Sequence, residues 1–136
     1  MLKKIIPYTD YNGNHREEEC YFNISKAELM EMDMSADGGL EAYIRRIVST
    51  QDSRMIMQTF KDIIMKSYGI KSLDGRRIQK SDELSKEFTE TEAYSELLME
   101  LLSDEKKAAD FIKAILPDVE DEHKAQIKAV PAPSAN

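Results

Sequence analysis

Hydrophobic and polar positions alternate with a period of two at the start of the chain. Leu2, Lys4, Ile6 and Tyr8 fall on one side of an extended segment, and Lys3, Ile5, Pro7 and Thr9 on the other. Residues 10–15 follow as Asp-Tyr-Asn-Gly-Asn-His, and Asn12-Gly13 is a strong short-range hairpin signal. Alternation then resumes, with Glu18, Cys20, Phe22 and Ile24 on one face and Glu17, Glu19, Tyr21 and Asn23 on the other. This predicts an N-terminal β-hairpin with its return strand over 17–24. Pro7 has no N–H for a ladder, so the first strand is expected at a sheet edge or ending there. An isolated hairpin is marginal in water, so it should pack on the elements that follow.

From Ser25 the period changes to that of a helix. Ser25-Lys26-Ala27-Glu28 reads as a capping box, followed by Leu29, Met30 and Met34 up to a break at Asp37-Gly38-Gly39. Leu40, Tyr43, Ile44, Ile47 and Val48 repeat at the spacing of one buried helical stripe. Ile56, Phe60, Ile63 and Ile64 define a second face over 52–68, with Met57 and Tyr68 on its flank and Gly69 placed to stop it. Residues 70–80 read as a polar excursion turning at Asp74-Gly75, with room for a short second hairpin. Ser81 or Asp82 caps a short helix to about Phe88. Thr89 or Thr91 caps another, carrying Tyr94, Leu97, Leu98, Leu101 and Leu102. Ser103 or Asp104 opens a last one, with Ala108, Phe111, Ile112 and Ile115 ahead of Pro117.

The fold class predicted is α+β: an N-terminal β-hairpin packed on a mainly helical bundle of about five helices. Residues 1–117 are expected to form one domain. Residues 118–136 begin acidic and end in Val-Pro-Ala-Pro-Ser-Ala-Asn, with little to bury, which predicts a flexible C-terminal tail.

Composition mainly narrows the chemistry. With 41% hydrophobic and 33% charged residues in 136, the chain can build a core. Its net charge of −7 argues against binding nucleic-acid phosphates or anionic lipid, though acidity also serves plain solubility. No run approaches a membrane span, and Met1 to Tyr8 lacks the apolar core of a secretory signal. Cys20 is the one cysteine, which suits a reducing compartment, and its place on an apolar strand face reads as a small buried hydrophobe. His15 and His123 stand without companions at ligand spacing, so no metal site is expected. No phosphate loop and no nucleophile–base pair appears; no catalytic residue, no cofactor and no enzymatic activity are predicted. Lys71, Arg76, Arg77 and Lys80 form a local basic patch that reads as an exposed turn.

Eight methionines remain. Core filling is the bland explanation. The functional one is an adaptable apolar surface that grips a partner, for which Met30, Met34 and Met57 are the candidate residues.

Several stretches carry a resemblance. They are Tyr8-Thr9-Asp10-Tyr11-Asn12-Gly13, Tyr21 through Met32 (Tyr-Phe-Asn-Ile-Ser-Lys-Ala-Glu-Leu-Met-Glu-Met), and Asp37-Gly38-Gly39-Leu40-Glu41. Phe60-Lys61-Asp62-Ile63-Ile64, Lys66-Ser67-Tyr68-Gly69 and Thr91 through Leu97 (Thr-Glu-Ala-Tyr-Ser-Glu-Leu) complete the set. Through them residues 2–117 resemble the tail assembly chaperones of long-tailed, siphovirus-type bacteriophages of Gram-positive bacteria. The resemblance implies a protein that coats the tape-measure protein, keeps it soluble and helps recruit tail-tube (major tail) subunits during tail morphogenesis. It further implies a frameshifted longer form of the same chain in many relatives, a place in the host bacterial cytoplasm, and absence from the mature virion. The family brings no catalytic motif. Two other readings stay open: a structural tail or head-completion component of the virion, and a small phage protein that binds a host factor.

Overall fold

The computed structural model describes residues 1–32 and 39–117. The alternating N-terminal segments form β1 (Leu2–Thr9) and β2 (His15–Phe22), an antiparallel pair in which Leu2 faces Phe22 and Thr9 faces His15. The connecting turn is built by Asp10, whose carboxylate accepts from the backbone N–H groups of Asn12 and Asn14, and by Gly13 at φ 84°. Glycine carries that left-handed geometry without a Cβ penalty. The return strand starts and ends two residues earlier than its alternation indicates. His15 opens β2 rather than sitting in the turn. Ile24 lies beyond the ladder, yet is fully buried, because its N–H donates to the Ile115 carbonyl of the last helix.

Six helices follow among the described residues: α1 (Lys26–Glu31), α2 (Gly39–Ser49), α3 (Ser53–Ser67), α4 (Asp82–Thr89), α5 (Glu92–Ser103) and α6 (Glu105–Ile115). Their starts follow local chemistry. Side chains of Ser25, Asp52, Ser81, Thr91 and Asp104 each accept a first-turn N–H, satisfying donors that a helix cannot pair internally. Between α3 and α4 lie β3 (Tyr68–Lys71) and β4 (Ile78–Gln79), which extend the hairpin into a four-stranded antiparallel sheet of order β1-β2-β3-β4. The α+β architecture with an N-terminal strand pair is therefore as its sequence predicts. The excursion over 70–80 is more than a surface hairpin, since Tyr68 and Gly69 pair with Phe22 and Tyr21.

Gly69 does not stop α3. The chain is already extended at Tyr68 (φ −64°, ψ 140°), so the helix ends at Ser67, two residues before the glycine. Gly69 instead allows close approach. A Cβ there would sit 2.6 Å from Ile78 Cγ1 and 3.0 Å from the Gln79 carbonyl oxygen.

The helices cover one face of the sheet. Phe22 is fully buried, with its ring 5.4 Å from that of Phe111, 5.9 Å from Phe88 and 5.8 Å from Tyr68. Tyr68 and Phe88 stack at 4.3 Å. Ile64, Leu97 and Ile115 close the core around them.

Lys80 is drawn out of the predicted basic patch. Its ammonium donates to both carboxylate oxygens of Glu28 at 2.8 Å and to the Asn23 carbonyl. Glu28 also accepts from the Ser25 N–H, so one carboxylate completes the α1 capping box and pins α1 to the end of β4. Burial pushes the Glu28 carboxyl up, but the bonds from Lys80 and Ser25 outweigh it and hold the net value below the ordinary carboxylate range. A depressed value means that the stabilisation is present above the unfolded-state pKa and is lost as pH falls through the folded one. Lys80→Met should accordingly cost about 1–3 kcal/mol at pH about 7. That difference from wild type should shrink at acid pH, below the depressed folded-state value, where Glu28 is protonated in both states. Urea unfolding at the two pH values measures it.

Candidate functional site

The stripe on α2 is longer than the surface available to cover it. Leu40 and Ile44 are buried, Tyr43 and Ile47 only partly, and Val48 is 37% exposed. Helix α2 leans on α3, to which it is joined through Thr50 and Gln51, the latter at φ 57°. The opposite wall is α6, which presents Ala108 and Ala109. Alanine side chains end at Cβ, so they leave the space between the two helices unfilled. The result is an open apolar groove of about 350 Å³, floored by Phe60, Leu101 and Ile112 and walled by Ile44, Val48 and Ile56. Charged side chains are confined to its rim, where Glu41, Arg45 and Glu105 stand.

Such a cleft can accept apolar side chains from a partner helix laid along it, with the rim charges setting orientation. It offers no acid–base pair. Cys20, the sole thiol, lies under the sheet at 3% exposure, and burial, with the Glu18 carboxylate nearby, pushes it up to about 12. At neutral pH it stays a neutral thiol, the inert form. Among the described residues no cluster of three or more His, Cys, Asp or Glu side chains could hold a metal ion. No described helix is long and apolar enough to cross a membrane.

The methionines lie elsewhere. Met30 projects from α1 at 71% exposure and Met57 from α3 at 45%. Neither lines the groove. Met34 falls outside the described residues, as do His123 and the predicted tail over 118–136. The neighbours of Met30, Leu29 on α1 and Met32 at its C-terminal cap, are the residues that pack against the core. Reasoning from residue type alone singled out the softest side chains and passed over the branched aliphatics that form the cleft. Two signals pointed to it: a five-residue stripe on a helix as short as α2, and adjacent alanines on the face of α6.

A family model described as phage tail assembly chaperone matches residues 1–134. Among curated proteins and among solved structures nothing matches the chain significantly.

Proposed function

The chain belongs to the phage tail assembly chaperone family, and on that premise we propose that it binds the tape-measure protein through the α2–α6 groove. A tape-measure protein is a long helical rod whose apolar stripes stay bare until the tail tube encloses them, and bare stripes of that kind aggregate. The observation that carries the reading is the groove itself: an apolar slot between helices, open to solvent, in a member of a family of tail chaperones. Each contact is small, so a single one is weak. Many copies along one rod give high occupancy, and each is displaced separately as tail-tube subunits arrive. In this reading the protein works in the host bacterial cytoplasm, alongside a longer frameshifted form of itself, during assembly of a siphovirus-type tail in a Gram-positive host. It leaves before the virion is complete. Exposed Met30 and Met57 offer further, adaptable contacts outside the groove, and Met34 is a third candidate contact residue.

Co-expression tests this directly. The tape-measure protein should be insoluble alone, and should stay soluble and co-purify when this chain is present. Val48→Asp puts a carboxylate on the groove wall at a position already partly in solvent, so the fold should persist. Burying that charge against a partner's apolar side chain should weaken capture at least about tenfold, the equivalent of 1.4 kcal/mol. Undiminished capture by a folded Val48→Asp variant would move the contact to the methionine surface. A tape-measure protein that stays insoluble with excess chaperone, short and extended forms alike, would remove the proposal. Mass spectrometry of purified particles should find the chain missing.

A further inference from the structure

The β3–β4 hairpin ends in a leucine that touches little of its own chain. Leu73 is fully exposed, the barest of the large hydrophobics among the described residues. The turn that carries it is firmly built. The Ser72 N–H donates to the Arg77 carbonyl, the Arg77 N–H donates to the Ser72 hydroxyl, and the N–H of Gly75, at φ 77°, donates to the Ser72 carbonyl. The Asp74 carboxylate accepts from the Ser72 hydroxyl and from the Arg76 N–H. The turn's polar groups are thus satisfied among themselves, and Leu73 is held out in water. Arg76 and Arg77 flank it. Both are exposed, and among the described residues neither guanidinium has an ion-pair partner.

A pocket opens at the root of the same hairpin. Pairing of β3 with β2 stops at Gly69 and Tyr21. Beyond them lies a space of about 210 Å³, floored by Cys20, Tyr68, Ile70, Leu84 and Phe88. Its rim is acidic, with Glu18, Glu19 and Glu87, and among the described residues no lysine or arginine lines it. Glu87 has no ion pair among them, and Glu18 accepts from the neutral Tyr8 hydroxyl. Burial first, then Cys20 and the carboxylates of Glu18 and Glu87, raise the Tyr68 phenol above its ordinary range, so the acidic field reaches the floor. The hairpin does not fill this pocket in its own chain. Leu73 stands about 10 Å beyond Ile70 along the strand, and its full exposure shows that it does not fold back.

We propose that two copies of this chain exchange hairpin tips: Leu73 of each enters the pocket between β2, β3 and α4 of the other, with Arg76 and Arg77 over that copy's Glu18, Glu19 and Glu87. The occupant is a second copy because the chain carries both halves of the match. One is an apolar knob flanked by guanidiniums, the other an apolar pocket rimmed by carboxylates. A chain of net charge −7 repels its own kind over most of its surface. Here the approaching charges are opposite, which favours encounter and fixes register. The third cation of the hairpin, Lys71, stays with its own copy, its ammonium 3.0 Å from the Ser72 carbonyl and over the Tyr21 ring. Knob and pocket lie close together along one strand, so a two-fold axis between them makes both insertions at once. The contact therefore closes at two copies and does not grow a filament. It uses none of the residues that line the α2–α6 groove, so it stands apart from the tape-measure reading.

Light scattering of the purified full chain should give twice the chain mass, shifting to the single-chain mass on dilution and at high salt. Leu73→Ser alters a side chain that packs on nothing in its own copy. It should leave circular dichroism unchanged and weaken association at least about tenfold. Charge reversal separates the two halves of the contact. Arg76→Glu with Arg77→Glu spoils the knob and leaves the pocket; Glu87→Lys spoils the pocket's rim and leaves the knob. Each of these variants should be monomeric alone, and an equimolar mixture of the two should dimerise, because both insertions then join opposite charges. A wild-type chain that is monomeric at the highest soluble concentration overturns the proposal. So does a folded Leu73→Ser variant that associates as tightly as wild type, or a mixture of the folded charge variants no more dimeric than either one alone.

Discussion

Leu97→Asp should abolish the folded state. Leu97 is 1% exposed at the centre of α5, facing the core that the sheet and α6 share. The substitution removes about 1.5–3 kcal/mol of apolar burial. It also places a carboxylate in the apolar core, at a further cost of several kcal/mol. Against a total of about 5–15 kcal/mol that is most or all of the margin. Expression should yield insoluble protein, or soluble chain without a cooperative thermal transition. Ser95→Asp, on the exposed side of the same helix, should stay within about 0.5 kcal/mol of wild type. A Leu97→Asp variant that melts cooperatively near the wild-type temperature would contradict the packing described for α5.

Phe22→Ala should be the most damaging truncation of a single apolar side chain. Phe22 touches the rings of Tyr68, Phe88 and Phe111, which come from β3, α4 and α6, so one side chain ties three otherwise separate elements to the sheet. The expected loss is about 3–5 kcal/mol, the sum of lost transfer energy and an unfilled cavity. Urea unfolding measures it. Tyr21→Ala, one residue away on the other face, removes a partly exposed ring that meets the Lys71 ammonium and whose hydroxyl donates to Glu19, and should cost far less. Equal losses at both positions would mean that the sheet is not one-sided.

The contrast between residues 21 and 22 was legible without coordinates, because a period of two assigns faces directly. Helix starts were legible for a similar reason. The caps at Ser25, Ser81, Thr91 and Asp104 act within three residues of themselves, so local sequence carries the whole interaction. What could not be read were the pairings between distant segments. Nothing near Lys80 in the chain indicates that it reaches Glu28, and nothing near Gly69 indicates that a strand must pass within van der Waals contact of it. Both depend on where β3 is laid beside β2. The groove falls between these cases: its wall residues appear as a stripe, but that the stripe is left half covered depends on how α2 leans. The methionine reading drew on side-chain chemistry alone, which says what a surface can do and not where one is left open.

The hydrogen bond from Ile24 to Ile115 also bears on the order in which the molecule is made. The hairpin consists of neighbouring residues and can close in microseconds, as soon as it is synthesised. Its inner face cannot be buried then, because the ring of Phe111 and the carbonyl of Ile115 belong to the last helix. Chains grow from the N-terminus at tens of residues or fewer per second, so Cys20, Phe22 and Ile24 wait seconds for their cover. Throughout that interval the nascent chain presents an apolar strand face of its own, and for those seconds it is as much in need of shelter as a bare helical rod.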